Sequence, residues 1–299
     1  GQVSQASVPV LVMDLSERNK WQDEPVDGLL GMSFLEDRRF LVDPFQATFS
    51  WEGEVARPRT IPLKARDGYF YLSVQVAGKA QEALLDTGAS GTIYVPSPPP
   101  GIPLETDCEM GSGIDGFARL GRGRADLDLF GERFVRRPFW SGGSGAVLGA
   151  AFLLAGPTVF DLKRQVLQVS LDETGRLLRA PSVPGEVSFP ICWNRKKPEA
   201  FLEVAPMPTC HRWYLAGFRP GDRVLAVGPD VGKDLTLTRL NGMLRDGQVL
   251  DWHLLRGRKA LHLRNPSEDR RRDRLDEQDE GDALNPRSLP ATVATPKAH

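Results

Sequence analysis

The feature that most constrains the fold is an internal repeat at an interval of 118 residues. An apolar run around Gly31 recurs around Gly149, and a strand-like run that ends at Asp43 recurs as one that ends at Asp161. Because both pairs differ by the same 118 positions, no insertion or deletion separates the two landmarks. A repeat of this kind predicts two related structural units in tandem.

Only the second of these units has a recognisable beginning. Its first run, Tyr69–Val76, is followed by the turn-forming residues 77–79 and by a return through residues 83–85, which predicts a β-hairpin. Only 30 residues precede Gly31, whereas about eighty separate Tyr69 from Gly149. We therefore expect the sequence to begin inside the first unit, with a further segment upstream.

Composition favours strands over helices. The chain has 30 glycines and 24 prolines in 299 residues, well above their usual combined share of roughly 12 %. The formal net charge of −1 argues against a nucleic-acid partner. No uninterrupted apolar run approaches the roughly 18 residues that a membrane helix needs, so we expect no membrane segment in this sequence.

The three cysteines, Cys108, Cys192 and Cys210, are too few and too scattered for a disulfide framework, and they lack zinc-site spacing. We expect all three to serve as ordinary small apolar side chains. A Cys192–Cys210 pair stays open for an oxidising compartment. The sequence leaves the compartment unknown, and an extracytoplasmic location is one option because the N-terminus is expected to be missing.

A short motif, Asp86-Thr87-Gly88-Ala89-Ser90, follows the predicted returning strand. A carboxylate that leaves a buried strand at a glycine turn is held rigidly, and the backbone at Gly88 can approach another chain closely. These properties suit a site that two chain segments share. An ordinary Asp-x-Gly β-turn is the alternative explanation for the triplet.

A glycine-rich stretch, residues 110–120, has the composition of a flexible hairpin tip. It is followed by the apolar-apolar-Gly segment that ends at Leu148 and Gly149. The Asp86 motif, the glycine-rich hairpin and this segment, in that order, resemble the retroviral-type aspartic proteases, the retropepsin-like family. The resemblance covers about residues 69–171, and the first fifty residues are similar to that family's C-terminal half again.

The resemblance implies an all-β fold of tandem closed barrels, the first one truncated, with one catalytic aspartate from each. Asp86 would be one of these, and Thr87 would hydrogen-bond across the interface between the units. Gly88 would offer its backbone to the carboxylate, Ala89 would fit a narrow space, and Ser90 would hydrogen-bond the outer oxygen of Asp86.

The glycine-rich hairpin would close over substrate as a flap. Gly111, Gly113 and Gly116 would keep it flexible, and Ile114 and Phe117 would contact either substrate or the hairpin's own core. Two leucine-glycine pairs are expected to be packing elements rather than substrate contacts, namely Leu148-Gly149 and its equivalent Leu30-Gly31.

The second aspartate of the implied pair is not in the sequence. The position 118 residues before Asp86 falls before residue 1, and no Thr-Gly follows Asp14, Asp27 or Asp43. The partner then comes from an upstream repeat in the same chain or from Asp86 of a second copy in a homodimer. A third option is an incomplete pair, which leaves a protein that only binds peptides. No metal or organic cofactor follows from the mechanism.

A third region contains the run 214–227, in which Ala216-Gly217 and Pro220-Gly221-Asp222 precede an apolar strand. This order resembles the PDZ family. Residues 235–244 would then form a helix beside a peptide groove, and residues 251–263 a closing strand. The resemblance implies that the region binds extended peptides by adding them to a sheet edge.

Four segments follow from these observations. Residues 1–55 would be the C-terminal half of a first retropepsin-like unit, and residues 60–175 a complete second unit. Residues 186–264 would be a PDZ-like α+β domain after a linker at 180–185, and residues 265–299 a disordered charged tail. The expected function is an aspartic endopeptidase of bacterial type acting on a polypeptide substrate. The alternative is a non-catalytic scaffold that binds peptides or proteins.

Overall fold

The computed structural model describes residues 12–51, 53–89, 91–113, 116–177, 190–195, 199–231, 234–246 and 248–266. Within these ranges the chain is mostly β, with nineteen strands and five short helices, as the composition predicts. The strands form three sheets of five, eight and six members. The predicted linker at 180–185 lies outside the described residues, as does the predicted tail 265–299 from residue 267 onwards, while Asn265 at its start is buried.

One strand of the largest sheet shows why the sequence folds as it does here. Strand β5, Tyr69–Val76, alternates buried and more exposed side chains, and Phe70, Leu72, Val74 and Val76 all point into the core. It turns at Ala77-Gly78, where both residues have positive φ, and returns antiparallel as β6, Lys79–Asp86. The hairpin predicted from alternation and turn residues is confirmed.

Six strands of this sheet close into a ring. Strand β6 pairs in parallel with β11, which continues through β7, β10 and β9, and β9 pairs back onto β5. Short β4 and long β8 extend the sheet beyond the ring. The remaining bounds are β4 Lys64–Arg66, β7 Ile93–Val95, β8 Leu104–Gly113, β9 Gly116–Leu129, β10 Glu132–Ser141 and β11 Ala146–Gly149.

The five-stranded sheet contains strands from both repeat segments. Its order is β2-β1-β12-β13-β3, and its apolar side chains share one core with the ring. Because the ring and the five-stranded sheet bury a common set of side chains, a change in the packing of one affects the other. The strands are β1 Arg39–Asp43, β2 Thr48–Trp51, β3 Pro58–Pro62, β12 Thr158–Asp161 and β13 Val166–Ser170.

Structural features recur at the interval found in the sequence. Helix α2, Met32–Leu35, has its equivalent 118 residues later in α3, Ala150–Leu153. In the hairpins that follow, Phe40 pairs with Trp51, and Thr158 pairs with Val169, again 118 positions later at both partners. The two segments therefore adopt the same local structure in the same register.

The pairing of β1 with β12 is centred on Leu41 and Val159, which are repeat equivalents of each other. On either side of this pair, Phe40 faces Phe160 and Val42 faces Thr158. An antiparallel pairing centred on equivalent residues places a local twofold axis between them. The two repeat segments thus meet symmetrically in this sheet.

The C-terminal region forms the six-stranded sheet and its own apolar core. The core includes Trp213, Phe218 and Trp252, whose rings meet edge to face with centroids 4.7–5.6 Å apart. Its strands are β14 Ile191–Asn194, β15 Phe201–Val204, β16 Arg223–Val227, β17 Asp230–Val231, β18 Asp251–Arg256 and β19 Lys259–Arg264, and its helices are α4 Arg212–Leu215 and α5 Leu237–Arg245. Near the N-terminus lies α1, Ser16–Asn19.

Two expectations for this region meet different outcomes. The turn predicted at Pro220-Gly221 is present, with Gly221 at a φ of +84° and the amide of Asp222 bonded to the carbonyl oxygen of Arg219. The single closing strand predicted over residues 251–263 is wrong. The chain reverses at Gly257, whose φ is +60°, and forms the β18–β19 hairpin instead.

The prediction for the cysteines is also wrong. Cys108 of β8 and Cys210, just before α4, form a disulfide with a Cα–Cα distance of 5.8 Å, and Cys192 is free. Cys192 is buried in β14, and burial raises the pKa of its thiol to about 12. The open alternative, a Cys192–Cys210 pair, is therefore not formed. The disulfide ties the large sheet to the C-terminal region across 102 residues of chain.

Candidate functional site

Asp86 is the last residue of β6, and its side chain is half-buried. Its carboxylate Oδ1 accepts a hydrogen bond from the backbone N–H of Gly88 at 2.8 Å. The carbonyl oxygen of Asp86 accepts a second bond from the N–H of Ala89 at 3.2 Å. These bonds close a tight turn that holds the carboxylate in one orientation.

The turn after Asp86 is pressed against the end of β11. The N–H of Gly149 donates to the carbonyl oxygen of Thr92 at 3.0 Å, and the N–H of Ala150 donates to that of Ala89 at 2.7 Å. A Cβ at Gly149 would lie 2.1 Å from the carbonyl oxygen of Gly91. Only glycine allows this approach.

Aromatic side chains support the same turn from the side. A Cβ at Gly91 would lie 2.8 Å from the hydroxyl of Tyr94 and 2.9 Å from the ring of Trp140. The Tyr94 hydroxyl accepts from the N–H of Gly91 at 3.2 Å, and the Tyr94 and Trp140 rings stack with centroids 5.5 Å apart. Sequence reasoning missed these three residues because Trp140 is far from the motif along the chain.

The other residues of the motif take different positions. Thr87 and Gly88 are exposed at the turn, and Ala89 is half-buried. A Cβ at Gly88 would be 3.1 Å from Oδ1 of Asp86, so the small residue leaves room beside the carboxylate. Ser90 lies outside the described residues, and its bond to Asp86 stays a prediction.

The glycine-rich stretch forms the β8–β9 hairpin, in which Gly111 faces Ala118 and Gly113 faces Gly116. A Cβ at Gly111 would come within 2.6 Å of the Leu120 side chain. Ile114 lies outside the described residues, and Phe117 is part of the β9 backbone. A role of this hairpin in holding substrate stays a prediction.

Leu148 and Gly149 differ in their surroundings from their repeat equivalents, Leu30 and Gly31. Leu148 is 0 % exposed and packs in the core, whereas Leu30 is 61 % exposed. The close contacts at Gly149 also have no counterpart, because no described atom lies within 4 Å of a Cβ placed on Gly31. The prediction that Leu30 is a packing element is wrong for the described part of the chain, since nothing there covers it.

A charged cleft of about 670 Å³ lies elsewhere, beside β1 and β12. Its lining includes Arg39, Asp161 and Arg164, and the two arginines lie 3.9 and 3.8 Å from the aspartate. The lining as a whole has four basic and three acidic side chains, and Asp86 is not part of it.

The described residues contain no group of three or more His, Cys, Asp and Glu side chains that could hold a metal ion. Among the described helices, none has the length and apolar character to span a membrane. A single half-buried carboxylate can accept a proton or a hydrogen bond, whereas shared-proton chemistry needs a second one beside it.

Comparison with known proteins yields a likeness to solved structures but not to known families or curated proteins. No protein family matches the sequence, and no curated protein matches it. A crystal structure of a retropepsin-like aspartic protease from Rickettsia conorii resembles 40 % of this chain over 96 % of its own length, with 18 % sequence identity and a TM-score of 0.28. A TM-score this low supports no inference about the activity of this chain.

Proposed function

We propose that the protein is an aspartic endopeptidase in which Asp86 is one of two aspartates that activate water. Two carboxylates in contact share one proton, because both cannot ionise at short distance. The ionised one takes a proton from water as it attacks the scissile carbonyl, and the protonated one donates to the carbonyl oxygen. The reaction forms no covalent acyl-enzyme and uses no metal.

The observation that carries this proposal is the rigid Asp86 turn. A catalytic carboxylate must keep its orientation as substrate binds, and here the Gly88 amide and the close approach at Gly149 supply that constraint. The bond from the Gly88 amide alone also occurs in plain surface turns, but such a turn does not need the buried glycine packed behind it.

The local twofold between Leu41 and Val159 supports a second, equivalent aspartate turn. Gly31 would receive that turn as Gly149 receives the first, and its surroundings leave the space. A turn seated on Gly31 would come from a segment upstream of residue 1; in a homodimer, Asp86 of the second copy would supply the second aspartate instead, without seating on Gly31. We accordingly propose residues 1–55 as the C-terminal half of a first retropepsin-like unit and residues 60–175 as a complete second unit, followed by a PDZ-like domain at 186–264.

The test is Asp86→Asn in the native protein that contains residues 1–299, assayed on an unfolded polypeptide substrate between pH 4 and 7. We expect hydrolysis to fall by about a hundredfold or more, because a general acid–base group is removed while the shape is kept. Asp67→Asn is the matched control, since Asp67 is an exposed turn residue with a φ of +55° that asparagine also accepts.

Unchanged hydrolysis in Asp86→Asn would contradict the assignment. Mixing the variant with wild-type protein distinguishes the two sources of the second aspartate. In a homodimer an excess of Asp86→Asn chains suppresses wild-type activity, whereas in a single-chain enzyme it does not.

The second candidate function is a peptide-binding scaffold without hydrolysis. The observation that favours it is in the C-terminal region, where β14 lies at the edge of the described sheet, near the N-terminus of α5. For a scaffold, Asp86→Asn leaves peptide binding unchanged, and neither protein cleaves the bound peptide.

A further inference from the structure

A short N-terminal segment, residues 19–26, closes on itself. The side-chain amide of Asn19 donates to the carbonyl oxygen of Val26 at 3.0 Å and accepts from the Val26 N–H at 2.9 Å. This two-point bond fixes the ends of the segment, which we call the latch. The latch therefore presents its central residues as a formed loop.

The latch lies on the open edge of the C-terminal sheet. Strand β14 pairs with β15 on one side, and on the other the N–H of Trp193 donates to the carbonyl oxygen of Lys20 at 2.7 Å. An edge strand with free amides is a natural place for an extended segment to bind. Here the chain's own segment makes one backbone hydrogen bond to that edge.

Asp23 of the latch binds the start of α5. Its Oδ1 accepts from the N–H of Leu237 at 2.6 Å, and its Oδ2 accepts from the N–H of Thr238 at 2.9 Å. The indole N–H of Trp193 also donates to Oδ1, at 3.1 Å. The first amides of a helix have no partner within it, and its positive dipole end favours an anion.

The carboxylate is held in its charged form at this place. Burial by itself would raise the pKa of Asp23, but the hydrogen bonds from Thr238, Leu237 and Trp193 outweigh it and hold that pKa below its ordinary value. Besides the Thr238 side chain, the donors around the carboxylate are the N–H groups of Leu237, Thr238 and Trp193. A neutral side chain of the same shape would leave some of them without an acceptor.

Arg195 clamps the latch from the other side. One of its terminal nitrogens donates to the carbonyl oxygens of Gln22 and Asp23 at 2.6 and 2.8 Å, and its Nε donates to that of Asn19 at 3.3 Å. The guanidinium also lies 5.3 Å from the ring centroid of Trp193. Strand edge, helix start and arginine thus bind one short segment together.

We propose that the latch is an intramolecular ligand of the cleft between β14 and α5, held there by Asp23. While the latch is docked, the cleft is closed to other peptides. When it is displaced, the cleft takes another peptide with an aspartate in the place of Asp23. The latch leads directly to Leu29-Leu30-Gly31, so its docking also ties the first repeat segment to the C-terminal region. This inference does not depend on Asp86 being catalytic.

The test measures binding of a fluorescent peptide with the sequence of residues 15–27 to the full chain by fluorescence anisotropy. Asp23→Ala frees the cleft, and we expect it to bind the peptide at least about tenfold more tightly than wild type, in which the latch competes. Asp27→Ala is the matched control, because Asp27 is an exposed residue close to the latch, and it should behave as wild type. A peptide with asparagine in place of Asp23 should bind the opened cleft at least about tenfold more weakly.

Equal affinity of wild type and Asp23→Ala for the peptide overturns the proposal, as does a folded Asp23→Ala chain that does not bind it. Amide hydrogen exchange supplies a second measurement on the same proteins. We expect the amides of Leu237 and Thr238 to exchange faster in Asp23→Ala and to be protected again by added peptide, while the β18 amides stay unchanged. If Asp23→Ala does not fold, Asn19→Ala replaces it, because it opens the latch without removing a side chain of the cleft, and failure of that variant to bind more peptide than wild type overturns the proposal.

Discussion

At the scale of single residues, the two equivalent glycines of the repeat differ most clearly. Gly149 touches the Asp86 turn so closely that a Cβ would overlap the carbonyl oxygen of Gly91, and Gly31 has open space. The same local sequence pattern thus has two environments. The motif around Asp86 could be picked out from the sequence, but the supporting contact of Trp140 could not, because Trp140 lies on a strand far from the motif along the chain.

The first prediction uses this contrast. We expect Gly149→Ala to lower the free energy of unfolding by about 3 kcal/mol, because the turn or β11 must shift to admit the methyl group. Gly31→Ala should change it by less than about 1 kcal/mol. Urea unfolding of the isolated chain measures both, and a Gly149→Ala variant as stable as Gly31→Ala would show that the turn does not pack as described.

At the scale of elements, local patterns carried much of the fold. The β5–β6 hairpin follows from alternating apolar residues and from Gly78, and the turn at Pro220-Gly221 follows from its residue types. Local patterns failed for the β18–β19 hairpin. Its turn at Gly257 lies among basic residues without a second turn-forming residue, so the local pattern of residues 251–263 predicts one continuous strand.

The second prediction concerns the β5–β6 turn. Ala77 has a φ of +51°, a conformation that costs an L-residue with a simple side chain about 1–2 kcal/mol. Asparagine accepts it better and forms the favoured Asn-Gly turn with Gly78. We expect Ala77→Asn to raise the free energy of unfolding by about 1 kcal/mol. In the control, Ala80→Asn on the neighbouring strand, no increase should be seen, and an equal gain from both would contradict the argument.

At the scale of the whole molecule, two long-range connections hold the C-terminal region to the rest of the chain. One is the Cys108–Cys210 disulfide to β8, and the other is the latch on β14 and α5. Neither connection can be recognised from a pattern of neighbouring residues in the sequence. The spacing of the three cysteines does not predict which two form a disulfide. Likewise, nothing around Asp23 in the sequence predicts that its carboxylate binds the N-terminus of a helix more than two hundred residues away.

The third prediction concerns the disulfide. Opening a cross-link between residues 102 positions apart should lower the free energy of unfolding by about 2–4 kcal/mol, because the unfolded chain regains freedom. Urea unfolding with and without a reductant measures the loss in wild type. The double variant Cys108→Ala/Cys210→Ala should be insensitive to reductant. Equal sensitivity of the two proteins would contradict the pairing.

The sequence by itself determined the features that depend on neighbouring residues: the repeat interval, the β-rich character, the β5–β6 hairpin and the turn that carries Asp86. Backbone preferences and side-chain alternation act within a few residues, so they are visible in a single chain. Tertiary structure decided the closure of the ring by β5 and β9, the symmetric pairing at Leu41 and Val159, the cysteine pairing and the docking of Asp23. Each of these joins segments far apart along the chain, and their meeting is set by the packing of the whole molecule rather than by any local preference.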